Sequence, residues 1–344
     1  MQRRKITEGT RFIVFDMEWN QPIPGKHYDI DVSTLPGEII EIGAVSYVIR
    51  DGVPVLAGNY SCDIRPHYYN KIHYHVKKVT GKTNADLRNG TYLESAYRAF
   101  REFCGEDAIL VGWGTSDPDM LKKNLKARRM NDRLGMMFVD IQPIFSVFAG
   151  DRGHQRSVEY AVDYYGIEKN ETFHSAMADA EYTGEILRCI YLNNDTSEVS
   201  EAISRSVTDP DIRHEYPFVT PEVNNADEAS RYATDYIRKC PRCDSALLLK
   251  IGPFRLRKSV YAMGECETDG EFFARARIKK GRNGGAYASA IMRIASPMDQ
   301  WLIEEKKSEF DEFGVNGKPH IKPSKEEETP SEDDESVNVN DKNE

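Results

Sequence analysis

The chain has 344 residues, 40% of them hydrophobic, and a formal net charge of −10. This length suits two domains, and this apolar fraction fills a core, which excludes a largely disordered protein. No apolar run is long enough to span a bilayer, and the basic start Met-Gln-Arg-Arg-Lys leads into polar residues rather than a signal region, so a cytoplasmic protein without a membrane partner is expected.

The six cysteines (Cys62, Cys104, Cys189, Cys240, Cys243 and Cys266) are expected as thiols or metal ligands in that compartment. The average charge hides an asymmetry. Residues 238–298 carry 13 Lys/Arg against 5 Asp/Glu, a net of +8, whereas residues 299–344 carry 15 Asp/Glu against 6 Lys/Arg, a net of −9. A basic module followed by an acidic tail is the reading.

In chain order, residues 11–15 (RFIVF) and 38–49 (EIIEIGAVSYVI) are β-branched and aromatic runs that predict two strands. Residues 20–37, with their prolines and glycines, predict a long loop, and residues 60–64 a third strand. Residues 92–104 place Tyr92, Ala96, Ala99, Phe100 and Phe103 at helical spacing. A buried strand is predicted at 108–113, a helix at 118–130, and further helices at 157–165 and 176–191. This alternation is an α/β layer pattern. Residues 195–237 are polar and predict a linker. Strands then dominate 238–298, and the composition of 299–344 predicts a largely disordered acidic tail.

Four stretches carry the chemistry. Asp16-Met-Glu18 ends the first apolar run, so its two carboxylates project from one face of a strand tip. Side by side they repel unless a cation lies between them, although an isolated Asp-x-Glu is more often a solvated strand end. Trp113-Gly-Thr-Ser-Asp117 follows a buried strand, where Asp117 would also serve simply as the N-cap of a helix beginning at Pro118. Asp119 is a weaker candidate than Asp117 for a metal-ligand role at this helix start. Asp140 follows the apolar run 136–139. Of the eight histidines, only His174 has Asp five positions on, at Asp179; alone it would be an ordinary loop histidine.

Taken together, the order Asp-x-Glu, Trp-Gly-x-x-Asp and His-x4-Asp resembles the DEDDh exonuclease superfamily, which includes RNase T and the proofreading subunit of bacterial DNA polymerase III. Glu38-Ile-Ile-Glu-Ile-Gly-Ala-Val resembles its second strand. Val79-Thr-Gly-Lys-Thr-Asn-Ala-Asp resembles its Thr-Gly-Ile-Thr segment, with Lys82 in place of the aliphatic residue. The resemblance covers residues 11–192, and the chain departs from it in Trp19-Asn-Gln and in a long insertion at 22–36. It implies an RNase H-like mixed sheet flanked by helices in a domain spanning 1–194. It also implies two Mg²⁺ or Mn²⁺ ions held by Asp16, Glu18, Asp117 and Asp179, and His174 as general base. The implied reaction is 3′–5′ hydrolysis of single-stranded RNA or DNA to nucleoside 5′-monophosphates. Trp19, Thr80, Gly81 and Trp113, within the matching stretches, are expected to contact substrate. So is Tyr74, which lies in a run (65–78) that interleaves rings with cations. The alternative is a non-catalytic nucleic-acid-binding or adaptor protein on a retired exonuclease fold, though none of the four acids is lost.

In residues 238–298, Cys240-Pro-Arg-Cys243 has the spacing of a zinc knuckle, and Cys266-Glu-Thr-Asp269 stands where a ribbon needs the second. The expectation is a mostly-β, zinc-ribbon-like domain. One structural Zn²⁺ is a candidate there, with Asp269 or another group such as His214 as fourth ligand; the competing account is a former ribbon that holds without metal. Arg275-Ala-Arg277-Ile-Lys279 puts three cations on one strand face, suited to a nucleic-acid backbone or simply solvated.

Overall fold

Strand β1 (Arg11–Asn20) sends Phe12 and Val14 into one core and Ile13, Phe15 and Met17 into another. Burial on both faces is the mark of a central strand. The computed structural model describes residues 4–150, 155–212 and 215–318. β1 pairs antiparallel with β2 (Glu38–Arg50), which pairs antiparallel with β3 (Val53–Arg65). Two short helices, α1 (Tyr74–Thr80) and α2 (Asn84–Asn89), lead to β4 (Thr91–Tyr92), parallel to β3. Helix α3 (Leu93–Cys104), β5 (Ile109–Gly112), α4 (Ser116–Ala127) and β6 (Met137–Asp140) follow, with β5 parallel to both β1 and β6. The resulting order β4-β3-β2-β1-β5-β6 is a mixed, RNase H-like sheet.

One face of this sheet carries Phe100 and Leu121 of α3 and α4. The other carries α5 (Gln142–Phe148), α6 (Val158–Tyr165), α7 (Ala176–Asn193) and α8 (Thr196–Ser206), through Phe145, Val162, Ile186 and Ile203. Gly184 lets α7 lie close: a Cβ there would stand 2.5 Å from Tyr47 Cε2.

The polar stretch 195–237 is not a linker. Asp195 caps α8 by accepting from the N–H groups of Ser197 and Glu198, and Val199 and Ile203 bury in the first core. Thr208 bridges to Phe138 at the sheet edge. Strand β7 (Glu215–Val219) and α9 (Ala226–Tyr236), capped by Asn225, belong to the second layer structure. Of the polar residues read as linker composition, Asp195 and Asn225 are helix caps and Glu198, Asp227 and Glu228 are first-turn acids.

That second structure is larger than a ribbon. β8 (Leu248–Leu256), β9 (Ser259–Cys266), β10 (Gly270–Lys280) and β11 (Ala286–Ile294) join β7 in an antiparallel sheet of order β7-β11-β10-β9-β8. Helix α9 covers one face through an alanine-rich core that includes Ala229, Ala233, Ala274 and Ala288. Helix α10 (Pro297–Phe313) covers the other, with Ile303 and Phe310 against Phe254, Tyr261 and Phe273. So the first part of the supposed tail is helical, started by a Ser296–Asp299 capping box and tied down by Arg293 on Asp299 and Arg257 on Glu309. The expectation of disorder for the rest falls outside the described residues.

Candidate functional site

Where β1 leaves the core, Asp16 and Glu18 continue the face of Phe12 and Val14, toward α7. Their partners across the ladder on β2 are Gly43 and Glu41. A Cβ on Gly43 would collide with backbone atoms of Ala176 and Met177, so its missing side chain lets the first turn of α7 rest on the sheet. That contact brings Asp179 of the same turn to the carboxylates of β1. His174, exposed and left-handed at φ 70°, donates its backbone N–H to Asp179 Oδ2 at 3.1 Å. One ligand atom each from Glu18, His174 and Asp179 lies within 4.8 Å of the others.

Asp117 arrives from the opposite layer. The helix carrying it starts at Ser116, with Thr115 at the capping position, so Asp117 is a buried first-turn residue and not the N-cap. Asp119 is exposed. Asp140 accepts from the N–H groups of Gly114 at 2.8 Å and Gln142 at 2.9 Å, which fixes the turn ahead of α4.

The carboxyls burden one another. Burial holds Asp16 well above the ordinary range, and the charges of Asp117, Asp179, Glu18 and Glu41 push it further. Glu18 is pushed up to about 8, by burial first and then by Asp179, Glu41 and Asp117, with Lys82 pulling the other way. Asp117 is pushed up to about 7 by burial, with Asp140 and Asp179 adding to it and the N–H groups of Asp117 and Met17 opposing. Burial also raises Asp179, against the pull of His174. Acids that cannot all ionise alone, offering oxygen donors at a half-open strand end, fit hard divalent cations.

Three contributors were not assigned roles from sequence. Gly43 and Glu41 were only part of a strand motif, and Lys82 only a departure from one. Glu41 is buried, and its Oε2 makes no hydrogen bond of proper direction, although Lys82 Nζ lies 2.9 Å away. The same ammonium is 2.6 Å from Asp63 Oδ1. Repetition of Glu within an otherwise apolar strand was the available signal.

The expected substrate contacts divide. Trp113 donates Nε1–H to the Arg156 carbonyl at 2.8 Å and packs on Phe145, so it holds the fold. Trp19, partly exposed beyond a bulge at Glu18/Trp19, lies against Gly37. Thr80 returns its hydroxyl to the Val76 carbonyl, and Gly81, at φ 70°, ends α1. Tyr74 is 68% exposed and lies against His75. Much of run 65–78 is structural: Glu38 accepts from the N–H groups of His67, Tyr68 and Tyr69, and buried Asn20 accepts from that of His73.

In the second sheet, Cys240, Cys243, Cys266 and Asp269 each offer a ligand atom within 4.8 Å of the others. His214, the other candidate ligand, falls outside the described residues. Arg275, Arg277 and Lys279 are exposed.

A nuclease-type sheet bearing an acidic cluster on its central strand thus occupies the first half of the chain. The exonuclease family model of RNase T type matches residues 13–187. The chain belongs to that family. It is 27% identical over 184 residues to the DNA polymerase III subunit epsilon of Aquifex aeolicus (strain VF5), spanning 54% of this chain and 81% of the relative. Among solved structures, the nuclease domain of 3′hExo, a DEDDh family member bound to rAMP, superposes with a TM-score of 0.47 at 14% identity, over 55% of this chain and 94% of that one. E. coli Exonuclease I in complex with a 5cy-dT13 oligonucleotide gives a TM-score of 0.46 at 11% identity, over 78% of this chain and 54% of that one. Among the described residues, no helix is long and apolar enough to cross a membrane.

Proposed function

We propose that this chain is a 3′–5′ exonuclease that removes nucleoside 5′-monophosphates from the 3′ end of single-stranded RNA or DNA. The observation that supports it most is the convergence of Asp16, Glu18, Asp117 and Asp179, drawn from β1, α4 and α7, beside His174, where burial first and neighbouring carboxylates second hold all four above the ordinary range. These four acids would hold two Mg²⁺ or Mn²⁺ ions. Such ions, when bound, supply Lewis-acid polarisation of the phosphodiester and stabilise charge on the attacking and leaving oxygens.

The protein's own groups do the rest. Glu18 and Asp179 orient toward His174, whose imidazole takes the proton of the attacking water as general base. The bond from the His174 N–H to Asp179 holds the loop so that the ring stays at the open side of the cluster. Asp140 fixes the turn that keeps Asp117 inside. Exposed Tyr74 and partly exposed Trp19 supply rings for unpaired bases, a sequence-tolerant contact.

The test uses matched single-stranded RNA and DNA oligonucleotides labelled at either end, with Mg²⁺, Mn²⁺ or EDTA. A 5′ label should give a descending ladder, and a 3′ label should appear at once as mononucleotide. EDTA and Asp179→Asn should each abolish both. Tight binding of oligonucleotides that stay uncut with either metal would instead favour the retired-fold reading.

A further inference from the structure

We infer that Cys240, Cys243, Cys266 and Asp269 form a tetrahedral Zn²⁺ site that clips the end of α9 to the β9–β10 turn, independent of the acidic cluster. Cys243 Sγ lies 3.5 Å from Cys266 Sγ, and Asp269 Oδ2 lies 3.3 Å from Cys240 Sγ and 3.6 Å from Cys266 Sγ. A zinc tetrahedron with Zn–S about 2.3 Å and Zn–O about 2.0 Å has S···S edges of about 3.8 Å and S···O edges of about 3.5 Å. These three edges lie within about 0.3 Å of those dimensions, and the remaining ligand atoms lie within 4.8 Å of one another. A dithiol built to close as a disulfide would not need the carboxylate oxygen facing two sulfurs.

The surroundings match a ligand shell. The knuckle turn is closed by Cys240 N–H to the Ser245 carbonyl at 2.8 Å and Asp244 N–H to the Cys240 carbonyl at 2.9 Å, with Asp244 left-handed at φ 60°. The Arg242 N–H points at Cys240 Sγ at 3.5 Å. The facing turn sets Cys266 opposite Gly270 in register, which places Asp269 at its corner. Asp269 divides its oxygens: Oδ2 faces the sulfurs, while Oδ1 is 3.5 Å from the Arg242 guanidinium, itself hydrogen-bonded to Tyr216 at 2.6 Å. Ser245 Oγ lies 3.0 Å from Cys243 Sγ and 3.5 Å from Cys266 Sγ, able to donate to a thiolate. Such partners orient ligands and tune a metal site. Three soft sulfurs and one oxygen select Zn²⁺ over the hard ions suited to the acidic cluster. The clip has a structural use too, since half of the buried residues beneath α9 are alanines, and Cys240 and Cys266 themselves belong to that core.

The experiment is elemental analysis of full-length protein, purified reduced with Zn²⁺ supplied and then passed through a weak chelator. Zinc should be retained stoichiometrically by the unaltered chain and by Asp16→Ala, and lost from Cys243→Ser and Cys266→Ser. Co²⁺ loading of the unaltered chain should give thiolate-to-metal charge-transfer absorption and tetrahedral d–d bands, which an oxygen-ligated cluster does not produce. Should the serine variants fail to fold, the cobalt spectrum and Asp269→Cys decide, the latter being expected to keep zinc against stronger chelation. Zinc absent from the unaltered protein with all three thiols alkylated equally fast with and without Zn²⁺, or zinc lost from Asp16→Ala and kept in the serine variants, would overturn the assignment.

Discussion

Asp16 and Glu18 keep protons in the fold that the same carboxyls release in an unfolded chain, because burial and their neighbours penalise the charged forms. The unfolded chain then binds fewer protons, so metal-free stability must fall as pH rises. With Asp117 pushed up to about 7 and Glu18 to about 8, the fall should extend from the ordinary carboxyl range to about pH 8. Thermal melts in EDTA should show the midpoint dropping across this range, and Mg²⁺ should restore it at the alkaline end. A flat profile would mean that the acids do not share one site. By the same logic Asp16→Asn should abolish cleavage while raising the metal-free midpoint above pH 7. Lys82 bears on this balance, as an ammonium held against Glu41 and Asp63 beside the cluster. Lys82→Met leaves Glu41 without its cation, so the metal-free midpoint should drop and half-activation should need less Mn²⁺. An unchanged Mn²⁺ titration would exclude any electrostatic coupling of Lys82 to the site.

At the scale of elements, the position of α7 decides whether the acids meet. Gly43 is the cross-strand partner of Asp16, and it is also where the helix carrying Asp179 touches the sheet. Gly43→Ala should therefore cost about 1–3 kcal/mol by overpacking and push Asp179 off the cluster. Activity should fall far more than a comparably destabilising Gly184→Ala, whose Cβ meets the Tyr47 ring in mid-helix. Equal losses of activity at equal stability would remove the positioning role. This coupling was hidden in the sequence. Asp16, Glu18, His174 and Asp179 were legible because their spacing is local: a strand repeat of two and a loop just before a helix. Gly43 and Glu41 were legible only as strand residues, since their roles come from register and from a helix well over a hundred residues away. The stretch 195–237 misled for a related reason. Asp195 and Asn225 look like linker residues, yet each caps a helix whose apolar side finds a core only in three dimensions.

At the scale of the whole molecule, the opposite charges of the two C-terminal segments partly meet. Acidic α10 lies on the same sheet face as the odd-numbered residues of β10, over Phe273, and two of its acids engage Arg257 and Arg293. Farther along that face, Arg275, Arg277 and Lys279 stay exposed and, among the described residues, have no carboxylate in ion-pair range; Arg275 lies over the Tyr261 ring at 5.8 Å. Cations free of acidic partners are available to phosphates, and each phosphate neutralised on a single strand adds about 0.7 to the salt dependence of log K. If all three contact the strand, replacing them together with alanine should weaken binding across all sequences and lower the slope by about 2. The measurement is fluorescence anisotropy of labelled single strands over a salt series, in an Asp179→Asn background so that nothing is cut. The slope separates the two accounts of this face. A general loss of fold would weaken binding at every salt concentration without a defined change in slope, and a solvated face would leave both slope and affinity where they were. A strand whose phosphates rest on this face gives a smaller slope together with unchanged thermal stability.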